Sequence, residues 1–285
     1  MNIVLRSGRL EDAAACGAIC YQAFATISNH HNFPPDFPNA EVATGLMNSL
    51  LTNEYAYSVV AEVDGKIIGS NFLHETRLVG GVGPITVDPN LQNSAVGKKL
   101  MQNVLQRAEE RQMAGVRLVQ AAYHNRSLSL YTKLGFDAQE PLSVMQGLSP
   151  GITFPEYHVR AANETDLESC NEVCMQVHGH DRGQELLGAI KAGTATVVEY
   201  NGRITGYSTY VGFFGHTVAL TNVEIKALIA ASASYAGPGF LLPTRNSEVL
   251  RWCLNNGLRI VQPFTLMSKG LYNQPAGAFL PSILY

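Results

Sequence analysis

Apolar residues recur along one face between Val96 and Ala108. Val96, Leu100, Val104 and Ala108 stand four apart, and Met101 and Leu105 widen the stripe, which predicts an amphipathic helix beginning near Ala95 or Val96. Ahead of it an apolar strand from Val82 to Val87 leads through Asp88-Pro89 and a polar loop, Asn90 to Ala95. Behind it come a second strand and a second helix that carries Asn125 and Tyr131. The first-turn amides of a helix are unpaired and carry partial positive charge. This order of elements therefore builds an anion pocket beside a tyrosine hydroxyl.

The same pattern returns in the second half of the chain. Arg6, Asp12, Cys16 and Cys20 recur as Arg160, Asp166, Cys170 and Cys174 at an offset of 154. Each copy reads as a strand, an acid-flanked helix start and an apolar-periodic helix. The run 59–69 matches 196–206 at an offset of 137, with Asp64-Gly65 and Asn201-Gly202 as two-residue hairpin signals. The helix ending Lys133-Leu134-Gly135-Phe136 matches the one ending Asn255-Asn256-Gly257-Leu258 at an offset of 122.

The shrinking offset locates what the second half lacks. One loss is the loop His30 to Pro38; the other falls where the polar loop should be, since Thr217 to Asn222 runs directly into the helical pattern Val223 to Tyr235. The halves are expected to share a fold but not a function. Ser149 to Pro155 reads as a linker, which places the domains at 1–149 and 156–285. The tail after Gly257 reads as one strand, Ile260 to Met267, followed by an irregular segment.

Composition narrows the function classes. Net charge is −3, with 11 Lys+Arg against 13 Asp+Glu through residue 150 and 9 against 10 after it. There is no basic stripe to neutralise a nucleic-acid backbone, so nucleic acid is not an expected partner. Neither a secretory signal nor a membrane span is expected from the start of the chain, and a cytoplasmic location is the default expectation. With 46% hydrophobic and 15% charged residues, large buried surfaces are expected, a homodimer interface being one use for them. Cys16 and Cys20, like Cys170 and Cys174, share a helix face, and with no histidines at ligand spacing they read as buried structural thiols and not as a metal site.

Lys98 and Lys99 in the first helical turn oppose the macrodipole, a conflict that a bound pyrophosphate would relieve. Gly97 admits two readings, close approach of a ligand to the helix start or packing against a neighbouring strand. At this point the residues resemble a known family. Val87-Asp88-Pro89 followed by Gln92-Asn93-Ser94-Ala95-Val96-Gly97-Lys98-Lys99-Leu100-Met101 is similar to the acetyl-CoA motif of the GNAT acetyltransferase superfamily, usually Gln/Arg-x-x-Gly-x-Gly/Ala. Asn125 with Leu130-Tyr131-Thr132-Lys133-Leu134-Gly135-Phe136 resembles its second motif. Ala95 stands where the family usually has its first glycine; alanine costs little there if the backbone is helical.

The resemblance implies an α/β (α+β) fold of two tandem GNAT-like domains, each a mixed, mostly antiparallel sheet flanked by helices. It implies acetyl-CoA as co-substrate and direct acyl transfer to an amine. Ile85, Thr86 and Val87 would bind the pantetheine arm through their main chain, and amides from Gln92, Asn93, Ser94, Ala95, Val96, Gly97 and Lys98 would surround the pyrophosphate. Asn125 would hold the arm from the other side and Tyr131 would protonate the departing thiolate. Candidate bases for the amine are His124, at the end of the second strand, and His74 or Glu75; a water relay or an already neutral amine needs none. His30, His31 and Asp36 are substrate-side candidates.

The second half offers Cys253 or Trp252 in place of Tyr131 and reads as a degenerate GNAT-like domain without the phosphate loop. Two other readings of the chain compete: a non-catalytic acyl-CoA-binding regulatory module, and a structural tandem scaffold.

Overall fold

The computed structural model describes residues 2–75, 78–91 and 94–284. It divides into two compact units, one of Met1–Ala138 with Leu266–Leu271, the other of Gln139–Thr265 with Tyr272–Ile283. The sequence placed this division between 149 and 156. Residues 139–149 lie in the second unit because their strand pairs there with Phe240–Pro243, in the register Phe240↔Met145 to Pro243↔Leu142.

The first unit runs β1 (Val4–Ser7), α1 (Ala13–His30), α2 (Ala40–Thr52), β2 (Ala56–Val63), β3 (Lys66–His74), β4 (Val79–Val82), β5 (Thr86–Val87), α3 (Val96–Glu110), β6 (Gly115–Ala121) and α4 (Asn125–Lys133). Its strands follow the order β1-β2-β3-β4-β6, with β5 paired to β3 off this path. β1–β2, β2–β3, β3–β4 and β3–β5 pair antiparallel, and β4 pairs with β6 in parallel. The β2–β3 hairpin turns at Asp64 and Gly65, both at positive φ, as a two-residue loop requires. The predicted stripe of α3, from Val96 to Ala108, is buried against Val59, Ile68, Leu73 and Leu118.

The strand expected from Val82 to Val87 is two pieces. β4 pairs with β6 only as far as Gly81↔Arg117, and β5 then joins β3 through Gly69↔Val87 and Ser70↔Thr86. Gly83-Pro84 separates them, and a proline has no amide with which to continue a ladder. The consequence is a splay. Leu118 to Ala121 run past the end of their pairing with β4, while β5 keeps one edge without a strand partner among the described residues.

The second unit continues with β7 (Asp137–Gln146), β8 (Tyr157–Ala161), α5 (Leu167–His178), α6 (Gly183–Lys191), β9 (Thr196–Tyr200), β10 (Arg203–Ser208), β11 (Thr217–Ala219), α7 (Asn222–Ala231), β12 (Phe240–Pro243), α8 (Ser247–Asn255), β13 (Arg259–Gly270) and β14 (Ala278–Leu280). Residues 266–271, the last part of β13 and the residue after it, belong to the first unit, where the Leu271 amide donates to the Ala114 carbonyl at 2.9 Å. The tail is more regular than its prolines and glycine suggest: β14 pairs antiparallel with β11 and ends a five-stranded sheet ordered β14-β11-β10-β9-β8.

The repeat is visible in the ion pairs. Arg6 binds both oxygens of Asp12 at 2.7 and 2.8 Å and reaches Glu62 through Nε at 2.9 Å; Arg160 binds Asp166 at 2.7 and 2.9 Å and Glu199 at 2.9 Å. Each clamp ties a strand, β1 or β8, to the turn entering the helix that follows it. All five cysteines are buried free thiols. Among the described residues no group of His, Cys, Asp or Glu could hold a metal ion, and no helix is long and apolar enough to cross a membrane.

Candidate active site

The approach to α3 is built by short local bonds. The Asp88 amide donates to Ile68 at 2.9 Å, the Leu91 amide to Asp88 at 2.9 Å, and the Ser94 hydroxyl donates to the Leu91 carbonyl. Gln92 and Asn93, two of the expected pyrophosphate ligands, lie outside the described residues. Ala95 is the N-cap, at φ 64° and ψ 4°, and supplies no side-chain cap. The condition under which alanine costs little there, a helical backbone, is not met. A left-handed backbone costs an L-residue about 1–2 kcal/mol because Cβ crowds the carbonyl, which is the strain that the family's usual glycine avoids. The helix starts at Val96, Lys98 and Lys99 are exposed, and the first turn holds no acid.

Gly97 can now be separated from its packing alternative. A Cβ there would meet Leu130 Cδ2 at 3.6 Å and Val87 Cγ2 at 3.8 Å, ordinary contact distances, so neighbouring protein atoms do not require glycine at this position. What its missing side chain leaves open is the approach to the helix start.

Across the splay, β6 turns into α4. Gln120 is 3% exposed, and its Nε2 donates to the carbonyls of Ala121 and His124 and to the Ser127 hydroxyl, the last two at 3.0 Å; the Ser127 hydroxyl in turn donates to the His124 carbonyl at 2.9 Å. This staple orients the start of α4. Asn125 is exposed there, and Tyr131 follows Ser127 by one turn on the same face. Tyr131 is 8% exposed, its ring lies 6.1 Å from that of Phe136, and burial pushes its phenol well above the usual tyrosine range. Ile85 and Val87 are half-buried against the same core, and the Thr86 hydroxyl lies 3.4 Å from that of Ser70.

The candidate bases separate. Glu75 is bound by Arg107 Nε at 2.5 Å and Arg111 Nε at 3.3 Å, at the C-terminal end of α3. Eleven residues of helix between Val96 and Arg107 amount to about 16 Å, so Glu75 is held at the far end of α3 from its first turn. His74 closes β3 opposite Gly81. His124 is the N-cap residue of α4, and burial, with Arg126 and His31 nearby, pushes its imidazole down to about 4. It is neutral at pH 7 but weakly basic.

Tyr123 is the residue the sequence reading missed. Phe33 stacks on it at 4.4 Å, His31 lies 5.4 Å from it, and its hydroxyl is 3.4 Å from Ser28 Oγ. Burial pushes this phenol up to about 12, with Asp36 adding to the shift and Ser28 opposing it. The Pro-rich loop after α1 thus lies on the end of β6, bringing His31 and Asp36 to His124 and Tyr123. A tyrosine next to His124 and a phenylalanine in a loop give no pattern in the sequence that links them.

In the second unit the corresponding helix start is closed by its own side chains. Only Leu220 and Thr221 join β11 to α7; the Thr221 hydroxyl accepts from the Val223 amide at 3.2 Å and donates to the carboxylate of Glu224, which is 3% exposed. Asn246 Nδ2 donates to Asn222 Oδ1 at 2.7 Å, Asn222 Nδ2 to Glu248 at 2.8 Å, and Lys226 pairs with Glu248 at 2.6 Å. The counterpart of Tyr131 resolves to Cys253. Phe136 N–H donates to the Tyr131 carbonyl at 3.0 Å as Leu258 N–H does to that of Cys253 at 3.1 Å, and the buried Cys253 thiol is pushed up to about 12.

Residues 24–136 match the sequence profile of the Acetyltransferase (GNAT) family. Among curated proteins none gives a significant match. Solved structures share the fold over nearly the whole chain. A candidate acetyltransferase from Pyrococcus horikoshii has a TM-score of 0.75 at 15% identity, covering 99% of this chain and 92% of its own. A GCN5-related N-acetyltransferase from Sphaerobacter thermophilus has 0.63 at 13%, covering 95% and 96%. A tandem GNAT protein from the clavulanic acid biosynthesis pathway, solved without AcCoA, has 0.58 at 10%, covering 94% and 98%.

Proposed function

We propose, from the premise that this chain carries a GNAT-family domain at residues 24–136 within a tandem GNAT fold, that its first unit transfers an acetyl group from acetyl-CoA to an amine. The observation that carries this reading is the helix start of α3. Its first turn has no side-chain cap and no acid, two exposed lysines stand at it, and Gly97 lacks a side chain that the protein itself would accommodate. These residues fit a pyrophosphate, which accepts hydrogen bonds from first-turn amides and offsets the unfavourable lysine–dipole arrangement.

The other residues then take roles along the splay. The unpaired edge of β5, from Ile85 to Val87, offers main-chain groups to the amides of the pantetheine arm, as an added strand would use them. Asn125 binds the arm from the α4 side. Tyr131 directs its hydroxyl at the sulfur and stabilises negative charge as it develops there. Because burial raises its pKa far above the thiol value of about 8.5, hydrogen bonding by Tyr131 precedes any complete proton transfer.

The acceptor amine attacks the thioester carbonyl directly. His124, with its imidazole at about 4, takes little of the amine's proton at neutral pH, so the amine arrives neutral or loses its proton to water. The second unit is a degenerate GNAT-like domain in this reading: Glu224 and Thr221 occupy the place of the pyrophosphate and Cys253 that of the tyrosine.

The test is an amine-panel assay that detects released CoA thiol. Acyl-dependent thiol release with at least one amine, slowed in Tyr131→Phe with acetyl-CoA binding intact, is expected. Acetyl-CoA binding with no turnover across the panel would favour a regulatory acyl-CoA-binding module instead.

A further inference from the structure

Gln120 has an amide whose orientation its neighbours dictate. The carbonyls of Ala121 and His124 can only accept hydrogen bonds, so the nitrogen must face them, and the flipped amide would set oxygen against oxygen. Its Oε1 is therefore turned the other way. There it is buried and has no donor among the described residues. A buried acceptor left unpaired is destabilising, and in native proteins it calls for a partner.

The place of this oxygen indicates the donor. Gln120 lies on the same face of β6 as Val116 and Leu118, the face packed with α3 and Tyr131, and beyond the last β4 pairing at Arg117. Its nitrogen holds Ser127, and Tyr131 stands one turn further along that face of α4, so both residues belong to the α3 side of the sheet where β6 has run past β4. If Tyr131 meets the sulfur, the nearest donor on an acyl-CoA is the secondary amide N–H two methylenes away.

We propose that Gln120 binds this cysteamine N–H through Oε1; the inference rests on the acetyl-CoA reading above. The oxygen is buried, so the arm must enter between β5 and the end of β6 to reach it. Gln120 is then a specificity residue for the thioester arm as well as the staple of the β6–α4 turn.

The experiment compares acetyl-CoA with an analogue whose cysteamine amide is replaced by an ester, removing one N–H, by calorimetric titration of the full chain. Wild type should bind the analogue about tenfold more weakly, and Ser127→Ala, which keeps Oε1, should discriminate equally. Gln120→Met should bind both ligands alike, with Gln120→Leu in its place where the methionine variant does not fold. Equal affinity of wild type for the two ligands, or discrimination retained without Gln120, overturns the inference while leaving the acetyl-CoA reading standing. A wild type that binds neither ligand overturns both.

Discussion

The starts of α3 and α7 occupy the same place in two copies of one fold and are finished in opposite ways. Thr221 and Glu224 supply α7 with a hydroxyl acceptor and a buried carboxylate, and Asn222, Asn246, Glu248 and Lys226 bond one another beside it. α3 has a left-handed alanine for its cap, lysines in place of acids, and a glycine where a side chain would fit. One helix start is closed by its own carboxylate; the other is left less stable than it could be, and under the proposed function an anion from outside completes it. The lesson is that a repeat can keep its fold while a cap of a few residues decides whether a site exists.

The comparison is broken most severely at the tyrosine. Tyr131→Phe should lower turnover by roughly 10²-fold or more with the acetyl-CoA dissociation constant little changed, measured by thiol release and calorimetry. Gly97→Ala should weaken acetyl-CoA binding by about tenfold or more while raising the melting temperature, since Cβ meets only ordinary contacts and alanine favours a helix over glycine by about 1 kcal/mol. That opposition of signs separates a ligand site from a packing site.

Three smaller effects sharpen it. Thr221→Ala should cost about 1 kcal/mol in denaturant unfolding and leave acetyl-CoA binding untouched. Ala95→Gly should stabilise by up to about 1 kcal/mol, because it relieves a positive φ, and should not weaken binding. The arginine clamps should tell in acid. Asp12 and Asp166 have their carboxyls lowered by Arg6 and Arg160, so their contribution is fully present above the unfolded value near 4 and is lost as pH falls through the folded value. Unfolding midpoints followed below about pH 4 should decline, and less steeply when Arg6 and Arg160 are both replaced by Met.

Much of this was legible in the sequence where periodicity or repetition carried it. The stripe of α3, the two Gly-bearing hairpins and the recurrence of Arg6-Asp12 as Arg160-Asp166 each depend on spacing alone, and spacing survives into the fold. What spacing could not carry was less visible. Glu75 looked available because nothing local shows that Arg107 and Arg111 lie within reach of its carboxylate. The left-handed φ of Ala95 was not legible because the turn into α3 sets it, not the residue type. Val82 to Val87 read as one strand although Pro84 breaks the ladder, and the proximity of Tyr123 to Phe33 exists only after α1 has packed.

The most direct measurement is calorimetric titration of acetyl-CoA into wild type, Gly97→Ala and Thr221→Ala. One ligand per chain, weakened by the Gly97 substitution and unaffected at Thr221, is the predicted result. Two ligands per chain, or binding indifferent to Gly97 and lost at Thr221, would contradict the assignment of the open helix start to the first unit.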